Sequence, residues 1–266
     1  MTIHSTAIIG KNVKIGVNCK IGPYCVIKDD VEIGDNTIIE PYVHVGRYTT
    51  IGKNCRIYMG ANIGDEPQDH SFKPGVISFT EIGDNTVIRE YVTIHRPPVE
   101  GLKTIIGSHV LLMAFVHVAH DVVIGDKVTI ANHTALTGHV QVEPMAVISG
   151  YCMIHQFCRI GSLAMVTAGE RIRQDVPPYC LLGENDYIYG PNIIGMRRAG
   201  FSQELRMDIR KAIKTYFFQD LNKSVALELI LSGEHSPEVN HFVDFIKSSK
   251  RGIMPGRAKY VEEVEI

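Results

Sequence analysis

The chain has no tryptophan, and only 8% of its 266 residues are aromatic. An interior built from large rings is excluded, so the apolar 45% must pack mainly as Ile, Val, Leu and small residues. An excess of one charge is also missing. Lys and Arg number 27 against 29 Asp and Glu, a net charge of −2, which leaves no global basic field for nucleic acid. No apolar run approaches the roughly 20 residues that span a bilayer, so no integral membrane segment is expected. The start, MTIHSTAIIG, lacks the basic residues and long apolar core of a signal peptide. The six cysteines form no Cys-x-x-Cys pair. Five of them (Cys19, Cys25, Cys55, Cys152 and Cys158) fall two residues before an aliphatic position, and read as buried, reduced filler in a cytoplasmic protein. Neither a Gly-x-Ser-x-Gly elbow nor a Gly-x-x-x-x-Gly-Lys phosphate loop occurs.

What the chain does have is a beat of six. From Val118 to Ile172 an aliphatic residue falls at every sixth position: Val118, Ile124, Ile130, Leu136, Val142, Ile148, Ile154, Ile160, Val166 and Ile172. The same beat runs from Ile9 to Ile63, where seven of ten stations are followed by Gly. It resumes at Ile82, Ile88 and Ile94, and again at Ile106 and Leu112, after interruptions near 65–79 and 97–103. This period is neither helical nor alternating. It is the signature of a hexapeptide-repeat parallel β-helix, each hexad giving a short strand and a turn. The station points inward, a small residue two positions earlier relieves crowding, and Gly permits the turn backbone. The 25 stations make about eight three-sided coils, rising by roughly 4.8 Å each. Hexapeptide prisms of known structure wind left-handed, and that handedness is expected here.

The beat fails after about residue 173, and beyond Asn192 the apolar period becomes helical. Ser202 is a candidate N-cap for a helix with Leu205, Ile209, Ile213 and Phe217 on one face. Leu221 to Leu231 reads as a second helix, and Ser236-Pro237-Glu238 opens a third that ends before Gly252. The acidic tail, Val261 to Ile266, reads as frayed. The predicted architecture is mainly β: a left-handed parallel β-helix over 1–190 and a helical C-terminal domain over 191–266. Residues 191–260 carry twelve Lys and Arg against seven Asp and Glu. A solvated helical face accounts for such charges, and so does docking of an acidic partner.

Candidate chemistry lies where histidines meet the beat. His120, His139 and His155 follow Val118, Leu136 and Ile154, stations eighteen residues apart. A three-sided coil stacks these on one edge, with His117, Asp121 and Gln156 alongside. Station Ile82 and the interruption at 97–103 map to the same edge. His133 and His95 follow stations assigned to other edges and are left out. An imidazole can take a proton at neutral pH from an attacking hydroxyl or amine. A carboxylate such as Asp121 would hold its tautomer and stabilise the charged form. Direct attack by a substrate, assisted by one histidine, is preferred to a covalent intermediate. The rival reading is a metal site, which for zinc needs three or four converging ligands.

The segments ANIGDEPQDHSF, TIHRP, HVAHD, ALTGHV, IHQFCRIG, RQDVPPY, NIIGMRRAGFS and FIKSSKRG closely resemble the UDP-N-acetylglucosamine acyltransferases of lipid A biosynthesis. The likeness covers nearly the whole chain in order. It implies transfer of a 3-hydroxyacyl chain from acyl carrier protein to the 3-position of UDP-N-acetylglucosamine. It also implies a homotrimer with sites between prisms, and no cofactor. By this resemblance His120 is the general base with Asp121 beside it, and the Gly138 N–H stabilises the oxyanion. His117, His139, His155 and Gln156 contact the sugar and the pantetheine side. Gln68 and Asp69 match sugar-binding positions, and Asn192 and Arg198 match contacts to the uridine diphosphate. Ala168 matches a position that helps set acyl length, where a methyl favours a somewhat shorter chain. Two positions depart from the family. Ser71 stands where a lysine is frequent, leaving only Lys73 nearby, and Ile194 stands where an acidic residue is frequent. The 3-amino analogue of the sugar therefore stays open as acceptor. The phrases VHVAHD and TGHV lack the histidine pattern of gamma-class carbonic anhydrases, so no metal is expected. A coenzyme A-dependent acetyltransferase and a non-enzymatic, nucleotide-sugar-binding β-helix are the alternatives.

Overall fold

The computed structural model describes residues 1–183 and 185–257. Short parallel strands wind into three sheets of 11, 9 and 8 strands, called here the first, second and third. Strands eighteen residues apart pair in register, as in Val118↔Leu136 and Leu136↔Ile154 of the second sheet. The prism is the left-handed parallel β-helix that the hexads imply. From Ile21 to Ile172 every aliphatic station is buried, and these residues form one continuous column of core. Each coil is a thin slice of that column, so its stability comes from the coils above and below.

The corners show how each hexad turns. The third residue after a station adopts the left-handed region, as at Asn12, Asp121, His139 and Phe157 with φ of 56°, 60°, 61° and 65°. That conformation costs an ordinary residue about 1 kcal/mol. Apart from Gly64, whose φ is +71°, the glycines that follow stations serve a different end from the one expected. Gly16 and Gly34 lie outside the left-handed region, but a Cβ on Gly34 would come 2.6 Å from the Gly52 carbonyl carbon of the next coil. They permit coils to approach, and the strained turn falls to the corner residue instead. The small residues before stations cap corner carbonyls: Thr37 Oγ1 donates to Gly52 O at 2.9 Å and Cys25 Sγ to Glu40 O at 3.0 Å. All six cysteines are buried free thiols, and burial pushes that of Cys158 up to about 11.

Both interruptions leave the second sheet and rejoin at the third, from Asn62–Asp65 to Phe79–Ile82 and from Thr93–His95 to Lys103–Ile106. They replace the same corner on neighbouring coils and brace one another. Buried Arg96 donates to Val76 O at 2.7 Å, and Ser78 Oγ to Pro97 O at 2.5 Å. This corrects two edge assignments. Ile82 pairs with Ile51 and Ile106 in the third sheet, while Ile94 pairs with Val118 in the second and places His95 there. Counting residues in sixes loses phase across an excursion, whereas counting stations keeps it.

The coil also continues further than the beat suggests. Val176 bridges Ile160, and Leu181–Leu182 pair in parallel with Met165–Val166. Cys180–Gly183 then folds back on Tyr187–Pro191 in an antiparallel hairpin that covers the sheet end. Four helices follow: α1 (Ile193–Arg198), α2 (Gln203–Phe218), α3 (Lys223–Leu231) and α4 (Pro237–Lys247). Helix α1 has six residues, too few to show an apolar period of its own. Ser202 and Ser236 cap α2 and α4 as expected, and Asn222 caps α3, so that helix begins later than Leu221. The helices dock through Arg159, whose Nε reaches Asp175 at 3.0 Å and whose Nη2 donates to Phe245 O at 2.8 Å. The acidic tail at 261–266 lies outside the described residues. Among the described residues no helix is long and apolar enough to cross a membrane.

Candidate active site

The corner between the second and third sheets gathers the histidines. Val118, Leu136 and Ile154 stack in the second sheet, so the residues just after each form parallel columns on successive coils. His120 and Gly138 share one column, and Asp121, His139 and Phe157 share the next. His120 Nδ1 lies 2.8 Å from Asp121 Oδ2. Asp121 is nearly enclosed, with 8% of its side chain exposed, and its N–H donates to Thr104 Oγ1 at 3.0 Å. A carboxylate held this firmly fixes the imidazole's orientation and leaves Nε2 as the free face of the ring.

Gly138 lies directly against that ring. A Cβ there would come 2.7 Å from His120 Cε1 and 2.9 Å from Nε2, so only glycine lets the imidazole occupy its place. Among the described residues no acceptor takes the Gly138 N–H. His139 meets His120 edge-to-face at 5.3 Å and stacks on Phe157 at 4.5 Å, with Nε2 3.8 Å from Asp121 Oδ2. The stack on Phe157 holds the second imidazole with its plane perpendicular to the first.

The first excursion closes over the group. Asp69 Oδ2 lies 3.9 Å from His120 Nε2, and the Ser71 N–H donates to Asp69 Oδ1 at 2.7 Å. Hydrogen bonding from Ser71 holds the Asp69 carboxyl below the usual range, with His120 adding to it. Gln68 and Lys73 are exposed on the same excursion. His117 points outward from the second sheet and shares a proton with Thr93 Oγ1 at 2.8 Å. Burial, aided by neighbouring His95, lowers its pKa and favours the neutral ring. His95, which edge counting leaves out, sits 5.4 Å from His117 and binds Glu66 O through Nδ1 at 2.6 Å. His155 and Gln156 are exposed one coil beyond Gly138.

The remaining candidates lie elsewhere on this chain. Asn192 spends its side chain on structure, donating to Leu163 O at 2.8 Å and accepting from Gly195 N to cap α1. Through Leu163 it stands by the corner between the third and first sheets, and Arg198 is exposed at the end of α1. Ala168 is exposed on the corner between the first and second. One copy therefore brings together His117, His120, Asp121, Gly138, His139 and Asp69, with Asn192 and Ala168 on its other two corners and Arg198 on α1. His120, Asp121 and His139 also offer ligand atoms within 4.8 Å of one another, enough in number to hold a cation. The hydrogen bond between the first two gives those same atoms a proton-transfer arrangement.

Comparisons with known proteins bear on this geometry. Residues 12–47, 30–65 and 103–138 match the bacterial transferase hexapeptide repeat, and residues 175–254 match the second domain of UDP-N-acetylglucosamine O-acyltransferase. A protein from Thermodesulfovibrio yellowstonii named acyl-[acyl-carrier-protein]–UDP-N-acetylglucosamine O-acyltransferase is 43% identical over 94% of this chain and 98% of its own length. The chain belongs to the UDP-N-acetylglucosamine O-acyltransferase family. A like-named protein from Chlamydia abortus is 41% identical over 97% of this chain and 93% of its own. The crystal structure of a UDP-N-acetylglucosamine acyltransferase from Bacteroides fragilis superposes with a TM-score of 0.91 at 41% identity, covering 95% of this chain and 99% of that one. As a member of this acyltransferase family the chain is an enzyme, and its prism and its helical end both fall within the likeness.

Proposed function

We propose that this protein transfers a 3-hydroxyacyl chain from acyl carrier protein to the 3-hydroxyl of UDP-N-acetylglucosamine, as the first step of lipid A biosynthesis in the cytoplasm. The observation that carries the reading is the His120–Asp121 pair, 2.8 Å apart, seated on Gly138. His120 Nε2 removes the proton from the sugar hydroxyl as its oxygen attacks the thioester carbonyl. Asp121 stabilises the resulting imidazolium. The free N–H of Gly138 receives the oxyanion of the tetrahedral intermediate. Collapse breaks the carbon–sulfur bond, and His120 gives the proton to the departing thiolate, which leaves as the thiol. His117, His139, His155, Gln156, Gln68 and Asp69 line the sugar and donor. No cofactor takes part beyond the carrier-bound acyl chain.

The separation of Asn192, Arg198 and Ala168 from the histidine corner supports a homotrimer in which a neighbouring prism supplies the uridine diphosphate and acyl-chain contacts. The basic balance of residues 191–260 supports docking of an acidic carrier protein on the helices. Ser71 and Ile194 alter the family pattern near the nucleotide sugar, and this keeps the 3-amino analogue as a second acceptor. Purified protein given a panel of 3-hydroxyacyl carriers and both UDP-sugars, with products read by mass spectrometry, tests the reading. An acylated UDP-sugar that disappears in His120→Ala supports it. Transfer from coenzyme A alone, or binding without turnover, refutes it.

A further inference from the structure

The closing motif FIKSSKRG has no part in the mechanism above, yet it reaches the candidate site. After α4 the backbone returns to the prism and is clamped at both sides of Arg251. Ser249 Oγ donates to Asp175 Oδ2 at 2.8 Å, the Asp175 N–H donates to Gly252 O at 2.8 Å, and the Met254 N–H donates to Asp175 O at 3.0 Å. Asp175 is 1% exposed and also accepts from the Arg159 N–H and Nε. Gly252, with φ of +81°, makes the turn that follows Arg251. Arg251 Nη2 then lies 3.0 Å from His155 Nδ1, with Arg173 O at 3.3 Å.

A guanidinium has donors and no acceptor, so a hydrogen bond between it and an imidazole nitrogen requires the lone pair on that nitrogen. The Gln156 carbonyl stands 3.3 Å from the same Nδ1 and would prefer a proton there. A charged donor at the shorter distance prevails over a neutral acceptor at the longer one. We propose that Arg251 is a positioning residue, holding His155 in the tautomer whose proton is on Nε2. His155 becomes an exposed hydrogen-bond donor at this corner, one coil beyond Gly138, for an acceptor oxygen on the sugar or on the acyl donor. The proposal rests on the acyltransferase reading of this corner. It places part of the substrate-binding apparatus in the C-terminal segment, 96 residues away in the chain.

The test has two arms. Nitrogen-15 spectra of histidine-labelled protein, with His155 assigned by His155→Asn, report the tautomer without any turnover. The expected result is an unprotonated Nδ1 in the parent and a mixed or reversed tautomer in Arg251→Ala. A parent ring carrying its proton on Nδ1 overturns the proposal. In the kinetic arm Arg251→Ala raises KM for one of the two substrates about tenfold, with kcat changed far less. Separate KM values for sugar and donor identify which one His155 meets. Arg251→Lys, which keeps a charged donor, recovers most of the loss, and Arg251→Ala adds less than twofold in a His155→Ala background. A full additional loss in that background, at unchanged thermal midpoint, overturns the proposal. Absence of turnover in the parent would sink the acyltransferase reading, while the spectra would still decide the tautomer.

Discussion

A single methyl group at Gly138 separates catalysis from folding in this protein. The Cβ of Gly138→Ala would sit 2.7 Å from His120 Cε1, against about 3.5 Å for comfortable carbon contact. The ring must retreat by roughly 0.8 Å. It can do so because it ends a side chain on the corner, and Gly138 itself lies outside the left-handed region. The fold therefore loses little. The retreat instead breaks the alignment of His120 with Asp121 and with whatever hydroxyl approaches Nε2. A displacement near 1 Å at a reacting group costs on the order of a hundredfold in rate, or about 2.7 kcal/mol. The assay is kcat at saturating acyl carrier and UDP-sugar, beside thermal denaturation. Gly34→Ala is the contrasting control, because its Cβ would strike the Gly52 backbone at 2.6 Å, which cannot swing aside. That variant should lose about 1–3 kcal/mol of stability with normal turnover per folded molecule. A Gly138→Ala enzyme within twofold of the parent kcat would refute the placement of His120 as base.

Four further outcomes follow from the same structure. Asp121→Asn keeps the hydrogen-bond geometry but removes the charge, and should lower kcat by about 10²–10⁴-fold while leaving KM near normal; an unchanged kcat argues against the pair. Arg198→Ala should mainly raise KM for the nucleotide sugar, as steady-state kinetics can establish. Leu136→Ala, beneath the site column and fully buried, should cost about 2–5 kcal/mol in denaturant unfolding. The docking of α4 should depend on pH through His241 and Glu143, whose Nε2 and Oε2 lie 3.1 Å apart. The hydrogen bond that His241 donates to Glu143 raises the His241 pKa above its ordinary 6.5. Burial opposes ionisation of Glu143, but bonds from His241 and Ser162 outweigh it and hold the carboxyl below 4.5. The His241 contribution is complete below 6.5 and is lost as pH rises through its higher folded value. The Glu143 contribution is present above 4.5 and is lost as pH falls through its lower folded value. Melting temperature should thus fall on the alkaline side in the parent, and His241→Gln should flatten that limb.

The coil, its interior and the approximate place of the site are legible in the amino-acid sequence because each rests on a local rule repeated many times. One aliphatic residue per hexad must face inward, and eighteen residues return the chain to the same edge, so Val118, Leu136 and Ile154 stack whatever the loops do. The N-caps Ser202 and Ser236 are local in the same sense. Where a rule needs phase carried across an irregular loop, sequence reading fails: His95 is assigned to the wrong edge and Ile82 to the site's edge. Glycine shows a subtler limit. Its recurrence after stations is visible, but whether it relieves a strained turn or a crowded neighbour depends on the next coil. Only the folded prism decides that Gly138 lies against His120, that Asp69 closes over it, and that Arg251 returns to His155. Those contacts join residues through the spacing of coils and the path of a returning chain. No run of residues by itself encodes a distance between segments that meet only after the backbone has wound.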